Sequence, residues 1–158
     1  MLSFVNLENI VLTSRRRQHI RTFVAFSAGL THHVDLAENA SVAFDRVWTN
    51  TGDGYDSNTG IFTCPHTGVY VFIYHGLTER NGQMWLEFFK NNAYEMSGFA
   101  HNNAYFAYAS NSVTLPLIDG DQVYIRGHGS SQLFGEPHEI YATFSGFMLI
   151  PNHGQRHS

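Results

Sequence analysis

The chain has 158 residues, the size of one domain, and its formal net charge of −4 leaves no electrostatic footprint for nucleic acid. Its single cysteine excludes an intrachain disulfide, and no apolar run of about 18 residues is present to span a membrane. Charged residues are 14% and aromatic residues 15%, which excludes a disordered chain and favours half-buried strands, whose pleated surface suits aromatic rings.

In chain order, residues 1–21 read as a lead-in segment, a stalk remnant or added sequence. They hold the only basic run, Arg15 to Arg17, followed by His19 and Arg21. Met1 to Leu12 makes a poor signal peptide, because it lacks a basic start and Asn6, Glu8 and Asn9 interrupt any apolar core. Residues 22–151 read as the globular domain and 152–158 as a tail. Thr22 to Ala28 predicts a strand. Asn39-Ala40-Ser41 is a glycosylation acceptor at Asn39, useful if the protein is secreted. Val69 to Tyr74 has β-branched residues on one face and aromatics on the other, so it predicts a strand covered on both sides. Further strands are expected at Met84 to Lys90, Ala104 to Ser110, Ser112 to Ile118, Gln122 to Arg126 and Ile140 to Ile150. Turn signals separate them: Thr51 to Gly54, Asn58 to Gly60, Asn81-Gly82, Lys90 to Asn92 and Asp119 to Asp121. Asn81-Gly82 is the strongest hairpin signal, since type I′ turns need positive φ at both central residues. No helical period appears after Thr22, so the class is all-β, a sandwich or jelly roll.

Catalytic signatures are weak. No His-x-His pair exists for a cupin metal. His33-Val34-Asp35, with His101 or His128 as a distant third ligand, has the spacing of a non-haem iron site, but ten histidines supply such a triplet by chance. No nucleophile elbow or P-loop is present. Cys64, between Thr63 and Pro65, reads as a buried, reduced and inert thiol. The ten histidines read as a scattered surface set. With ordinary pKa values near 6.5 they would carry the chain from net negative to slightly positive by about pH 6.

One longer pattern stands out. Phe44, Asn50, Tyr55, Phe62, Gly68, Tyr70, Phe72 and Tyr74 recur at the spacing of the complement C1q globular-head signature. Val24 to Ala28, Gly60 to Pro65, Gly120 to Val123 and Phe144 to Phe147 resemble further blocks of that family. The resemblance covers about Thr22 to Pro151. It implies a ten-stranded jelly roll, similar to tumour necrosis factor, assembling as a homotrimer. It also implies a secreted binding protein with no catalytic role. The chain most resembles invertebrate, especially molluscan, head-only members that act as lectin-like receptors of innate immunity, with microbial-surface or sialylated glycans as partners. The alternative is a structural or signalling member: a matrix or shell-fluid component, a metal binder or a receptor ligand.

Site residues follow from that resemblance. Many members carry calcium ligands on the apical loop before the sixth strand. Ala100 to Ala107 occupies that place and holds no acid, so calcium is not expected. His101, Asn102, Asn103 and Tyr105 are the ligand-binding candidates there, an aromatic face with amide partners for sugar. Three copies of His101 about a threefold axis would offer zinc three imidazoles. Some relatives bridge neighbouring strands by a disulfide at positions that here read Trp85 and Phe99. The expected trimer-interface side chains include Tyr70, Phe72, Tyr74, Tyr105, Tyr108, Tyr141, Phe144 and Phe147, because the aromatic content exceeds the needs of one small sandwich.

Overall fold

A computed structural model describes residues 23–152. The whole expected lead-in, with its basic run, His19 and Arg21, and all of the expected tail but Asn152 lie outside the described residues. Twelve strands follow in order: β1 (Ala25–Gly29), β2 (Val34–Leu36), β3 (Arg46–Thr51), β4 (Tyr55–Asp56), β5 (Ile61–Thr63), β6 (Gly68–Leu77), β7 (Gln83–Lys90), β8 (Ala93–His101), β9 (Tyr108–Leu117), β10 (Gln122–Gly127), β11 (Ser131–Leu133) and β12 (Thr143–Pro151). Ten of them form two antiparallel five-stranded sheets, β3-β1-β12-β6-β9 and β4-β5-β10-β7-β8. The short β11-β2 ladder stands apart. This is the expected jelly roll.

Strand β6 shows how the sequence builds the sandwich. Side chains alternate faces along a strand. Tyr70, Phe72 and Tyr74 therefore point inward and are fully buried, whereas Val69, Val71 and Ile73 point outward and are half-buried. Phe26 from β1 anchors the inner layer, with ring centroids 4.8 Å from Tyr55, 5.0 Å from Phe62 and 4.9 Å from Phe144. Each such burial contributes roughly 1.5–3 kcal/mol.

The spaced pattern read in the sequence is the frame of this core. The Asn50 side chain donates from Nδ2 to the Tyr55 carbonyl at 2.8 Å and accepts the Tyr55 N–H at 3.0 Å, which closes the β3–β4 connection. Gly60 has a φ of +74° and lies against β-sandwich backbone, where a Cβ would stand 2.0 Å from the Val42 carbonyl oxygen. Only glycine fits such a place.

Three expectations change. Asn81-Gly82 does not make a type I′ hairpin: Asn81 has a φ of +55°, but Gly82 is not left-handed, and the strands it joins, β6 and β7, belong to different sheets. The tight hairpin is β7–β8, where Asn91 and Asn92 have φ of +47° and +66°, as a two-residue type I′ loop requires. The two strands expected over Ala104 to Ser110 and Ser112 to Ile118 are one strand, β9, paired along the whole of β6 from Leu77 to Gly68. Asn111 does not break it, because its amide donates to the Ser97 carbonyl of the facing sheet at 3.1 Å. Strand β8, like β3, lies where no strand is expected. Its inward residues include Gly98 and Ala100, which carry little apolar signal.

Candidate functional site

The four candidates of the apical loop separate in space. His101 ends β8 opposite Gln83 and faces outward. Asn102 is a structural residue rather than a ligand group. Its Nδ2 donates to Thr78 Oγ1 at 2.6 Å and to the Glu79 carbonyl at 3.0 Å, while its Oδ1 accepts the Asn81 N–H at 3.0 Å. This amide ties the β6–β7 turn to the loop that follows β8, so it is not free for a sugar. Asn103 and Tyr105 are exposed, and Tyr105 is 74% accessible at the loop.

His101 belongs instead to a wider surface, the outward face of the second sheet. Strand alternation places Gln83, Trp85 and Glu87 of β7 on that face, with His101, Phe99 and Ser97 opposite them on β8. Arg126 pairs with Glu87 from β10, and the His128 N–H donates to the Trp85 carbonyl at 2.9 Å. Phe99 of β8, Trp85 of β7 and His128, just past the end of β10, thus form one row. The Trp85 and Phe99 rings meet edge to face with centroids 5.6 Å apart, and the His128 ring lies 4.4 Å from Trp85. Trp85 remains 40% exposed and Phe99 57%, so the aromatic corner is open to solvent.

Below this row sits a charged one. Glu87 is only 8% exposed and is held between the Arg126 guanidinium, with Nη2 at 3.4 Å from Oε2, and the His128 imidazole, with Nδ1 at 3.4 Å from Oε1. The Arg126 guanidinium lies 3.8 Å above the Phe89 ring, which stacks in turn on Tyr124. The ion pair and the cation–π contact fix these side chains, so hydrogen-bonding groups stand at set positions beside the aromatic corner. Sequence reading missed Trp85, Phe99, Glu87, Arg126 and His128 as a group. The signal was the period-2 spacing of Gln83, Trp85 and Glu87 in an expected strand, but no alternation says which strands lie alongside it.

The expected interface residues need correction. Tyr70, Phe72, Tyr74 and Phe144 are fully buried between the two sheets of one chain and cannot contact a neighbour. The period of two explains the error: the opposite parity, Val69, Val71 and Ile73 of β6 with Phe147 of β12 across from Val71, forms the outward face of the first sheet. Phe147 is exposed as expected. Tyr108 and Tyr141 pack against each other with centroids 6.4 Å apart at the end of that sheet, where they line a pocket.

Other expected groups also fall into place. Asn39 is exposed, with a φ of +65°, in the loop after β2. His33 is hydrogen-bonded to Glu79 and Asp35 to Gln132, so the His33-Val34-Asp35 triplet is dispersed. Among the described residues, no group of three metal-ligating side chains converges within the chain. Zinc at His101 would therefore need His101 from three chains. Cys64 is buried, and burial pushes its thiol above the ordinary cysteine range. Its Sγ donates to the His66 carbonyl, which also accepts the Tyr70 hydroxyl at 2.7 Å.

Comparison with known proteins agrees with this architecture. The C1q domain profile matches residues 25–149. Caprin-2 of Danio rerio is 39% identical over 129 residues, which is 80% of this chain but 14% of that protein, so the chain spans a small part of that relative. The globular domain of zebrafish complement 1qA protein superimposes with a TM-score of 0.70 at 25% identity, over 82% of this chain and 99% of the other. Eiger TNF from S. frugiperda gives a TM-score of 0.69 at 16% identity, over 87% of this chain and 99% of the other. Murine APRIL gives 0.64 at 12%, over 80% and 99%. The last two show the shared fold alone. Trimer assembly is typical of C1q and tumour necrosis factor domains. With its core pattern, its two five-stranded sheets and the profile match over residues 25–149, this chain belongs to the C1q domain family.

Proposed function

We propose that this chain is a secreted recognition protein that works as a homotrimer and binds carbohydrate through the outward face of its second sheet. It acts by binding rather than by catalysis. The observation that carries this reading is the open corner of Trp85 and Phe99 bordered by His101, Gln83, His128, Glu87 and Arg126. A pyranose ring presents C–H faces that stack on an aromatic ring and hydroxyls that need fixed donors and acceptors around it. The exposed His101, His128 and Gln83 border the rings with hydrogen-bonding groups, the Gln83 Nε2 also donating to the Ser130 carbonyl at 3.2 Å, while Glu87 and Arg126 hold each other beneath them. Sialylated glycans as well as neutral microbial ones are the ligands to test.

The homotrimer finds support in the first sheet. Val69, Val71, Ile73, Phe147 and Ile150 put an apolar strip on its outward face, and such a strip calls for a partner. Burying it against neighbouring copies leaves the second sheet turned outward. Secretion accords with the exposed acceptor Asn39.

A glycan array run with the intact protein, with and without zinc, tests the reading. Retained glycans are then titrated by tryptophan fluorescence. Trp85→Ala is expected to abolish the fluorescence response and weaken binding at least tenfold, while Trp48→Phe leaves binding unchanged. An array with no retained glycan, or equal binding by Trp85→Ala, would overturn it and favour the structural or signalling reading. A zinc requirement lost in His101→Ala would place the metal at His101.

A further inference from the structure

At the end of the first sheet, four aromatic side chains surround a pocket of about 270 Å³ lined by Leu77, Phe106, Tyr108, Phe134, Glu139 and Tyr141. The rings are linked in sequence. Phe106 meets Phe134 edge to face at 4.9 Å, Phe134 lies 5.8 Å from Tyr141, and Tyr141 lies 6.4 Å from Tyr108. They come from three separate segments: the loop after β8, the start of β9, and the stretch between β11 and β12. Leu77 closes the floor and is buried.

The polar group on the wall is a carboxylate. Glu139 accepts the Tyr141 hydroxyl at 2.9 Å. Glu136 lies beside it, with its carbonyl 3.3 Å from the Glu139 N–H. The hydrogen bond to Glu139 and the charge of Glu139 raise the pKa of the Tyr141 hydroxyl, with smaller contributions from desolvation, Tyr108 and Glu136. One of these rings already receives a cation: the guanidinium of Arg80 stands over Phe106, 5.3 Å from its centroid.

From these features we infer that the pocket is an aromatic cage for an alkylammonium group, with a trimethylammonium head as its best fit. Aromatic rings attract a cation through the negative face of the π system, and the attraction grows when the cation is desolvated. A nearby carboxylate supplies the opposite charge. A primary ammonium would bring three donors to a wall that offers few acceptors, whereas a quaternary one needs none. The volume lies below the roughly 300–1,000 Å³ of drug-sized sites, so the pocket takes a head group rather than a sugar chain. This inference stands independently of the carbohydrate reading, because it uses none of the residues of the second sheet.

The test uses the intact protein and choline as the probe, followed by calorimetry and by the aromatic NMR signals of Tyr108 and Tyr141. The uncharged isostere 3,3-dimethyl-1-butanol and sodium chloride serve as controls. Choline is expected to bind with at least tenfold higher affinity than the isostere and to shift both tyrosines. Glu139→Gln is expected to weaken choline about tenfold without changing the isostere, and Phe106→Leu to weaken both. Because Glu139 is exposed, Glu139→Gln leaves the fold intact, which circular dichroism checks. Equal affinity for choline and the isostere would reduce the pocket to an apolar cleft and overturn the inference. So would absence of choline binding. Binding by a monomeric variant but not by the trimer would show that a second copy of the chain covers the pocket, and would overturn it as well.

Discussion

The Tyr55 hydroxyl bonds twice to one residue: it accepts the Phe44 N–H at 3.1 Å and donates to the Phe44 carbonyl at 3.1 Å. Phe44 precedes β3 and has no strand partner for either group, so a side chain completes its backbone in the core. Tyr55→Phe keeps the ring and its stack on Phe26 but leaves a buried donor and acceptor unpaired. The cost is expected to be about 1–3 kcal/mol for each group left unsatisfied. Equilibrium urea unfolding of the variant checks this, and a change within error of zero would contradict the account.

The trimer is expected to depend on the outward parity of β6. Val71 faces away from the core and lies across from Phe147. Val71→Arg should therefore leave the monomer fold intact and place a charge in the protomer contact. Light scattering is expected to show a trimer for the native chain at micromolar concentration and a monomer for the variant. A native monomer, or a variant that still trimerises, would remove this face from the interface.

Acid should loosen the end of the sandwich where Asp121 sits. Burial alone would raise its pKa, but the carboxylate accepts the Ile118 N–H at 2.9 Å and Asn91 Nδ2 at 2.7 Å, with Lys90 Nζ at 3.2 Å, and these contacts hold it below the ordinary range. A carboxyl whose folded pKa is depressed contributes stability above its unfolded value of about 3.9 and loses it as pH falls through the folded value. Asp121→Asn is expected to cost about 1.5–3 kcal/mol near neutral pH. The gap between the two proteins should close below about pH 4. Thermal unfolding between pH 2 and pH 7 reads this directly, and a pH-independent gap would show that the charge is not the cause.

Cys64 should behave as a core side chain. Burial raises its pKa, so the thiolate is scarce at neutral pH, and the Sγ is turned to the His66 carbonyl. A thiol reagent is expected to label the native protein at least a hundredfold more slowly than the chain unfolded in urea. Prompt labelling, or a covalent dimer on a non-reducing gel, would contradict the burial.

Trp85 and Phe99 show what local sequence can and cannot convey. They stand in direct register across the β7–β8 hairpin, at the two positions where the resemblance places a disulfide in some relatives. The alternation in β7, the aromatic stripe of β6 and the eight spaced core residues were all legible, because period-2 patterning and glycine-dependent turns are properties of a few neighbouring residues. Those properties decide an all-β sandwich and its family. The sequence was silent on which strands become neighbours. His128 joins Trp85 from just past the end of β10, more than thirty residues away, and Asn102 is drawn into the Thr78 turn by hydrogen bonds that no spacing announces. Parity told which residues share a face of β6, but only the paired sheets decided that Val69, Val71 and Ile73, and not Tyr70, Phe72 and Tyr74, are left for a neighbouring chain. A strand's pattern is written within a few residues, whereas the side of the sheet that meets the core depends on what packs against it. The site depends on both choices, so only the tertiary structure determined it.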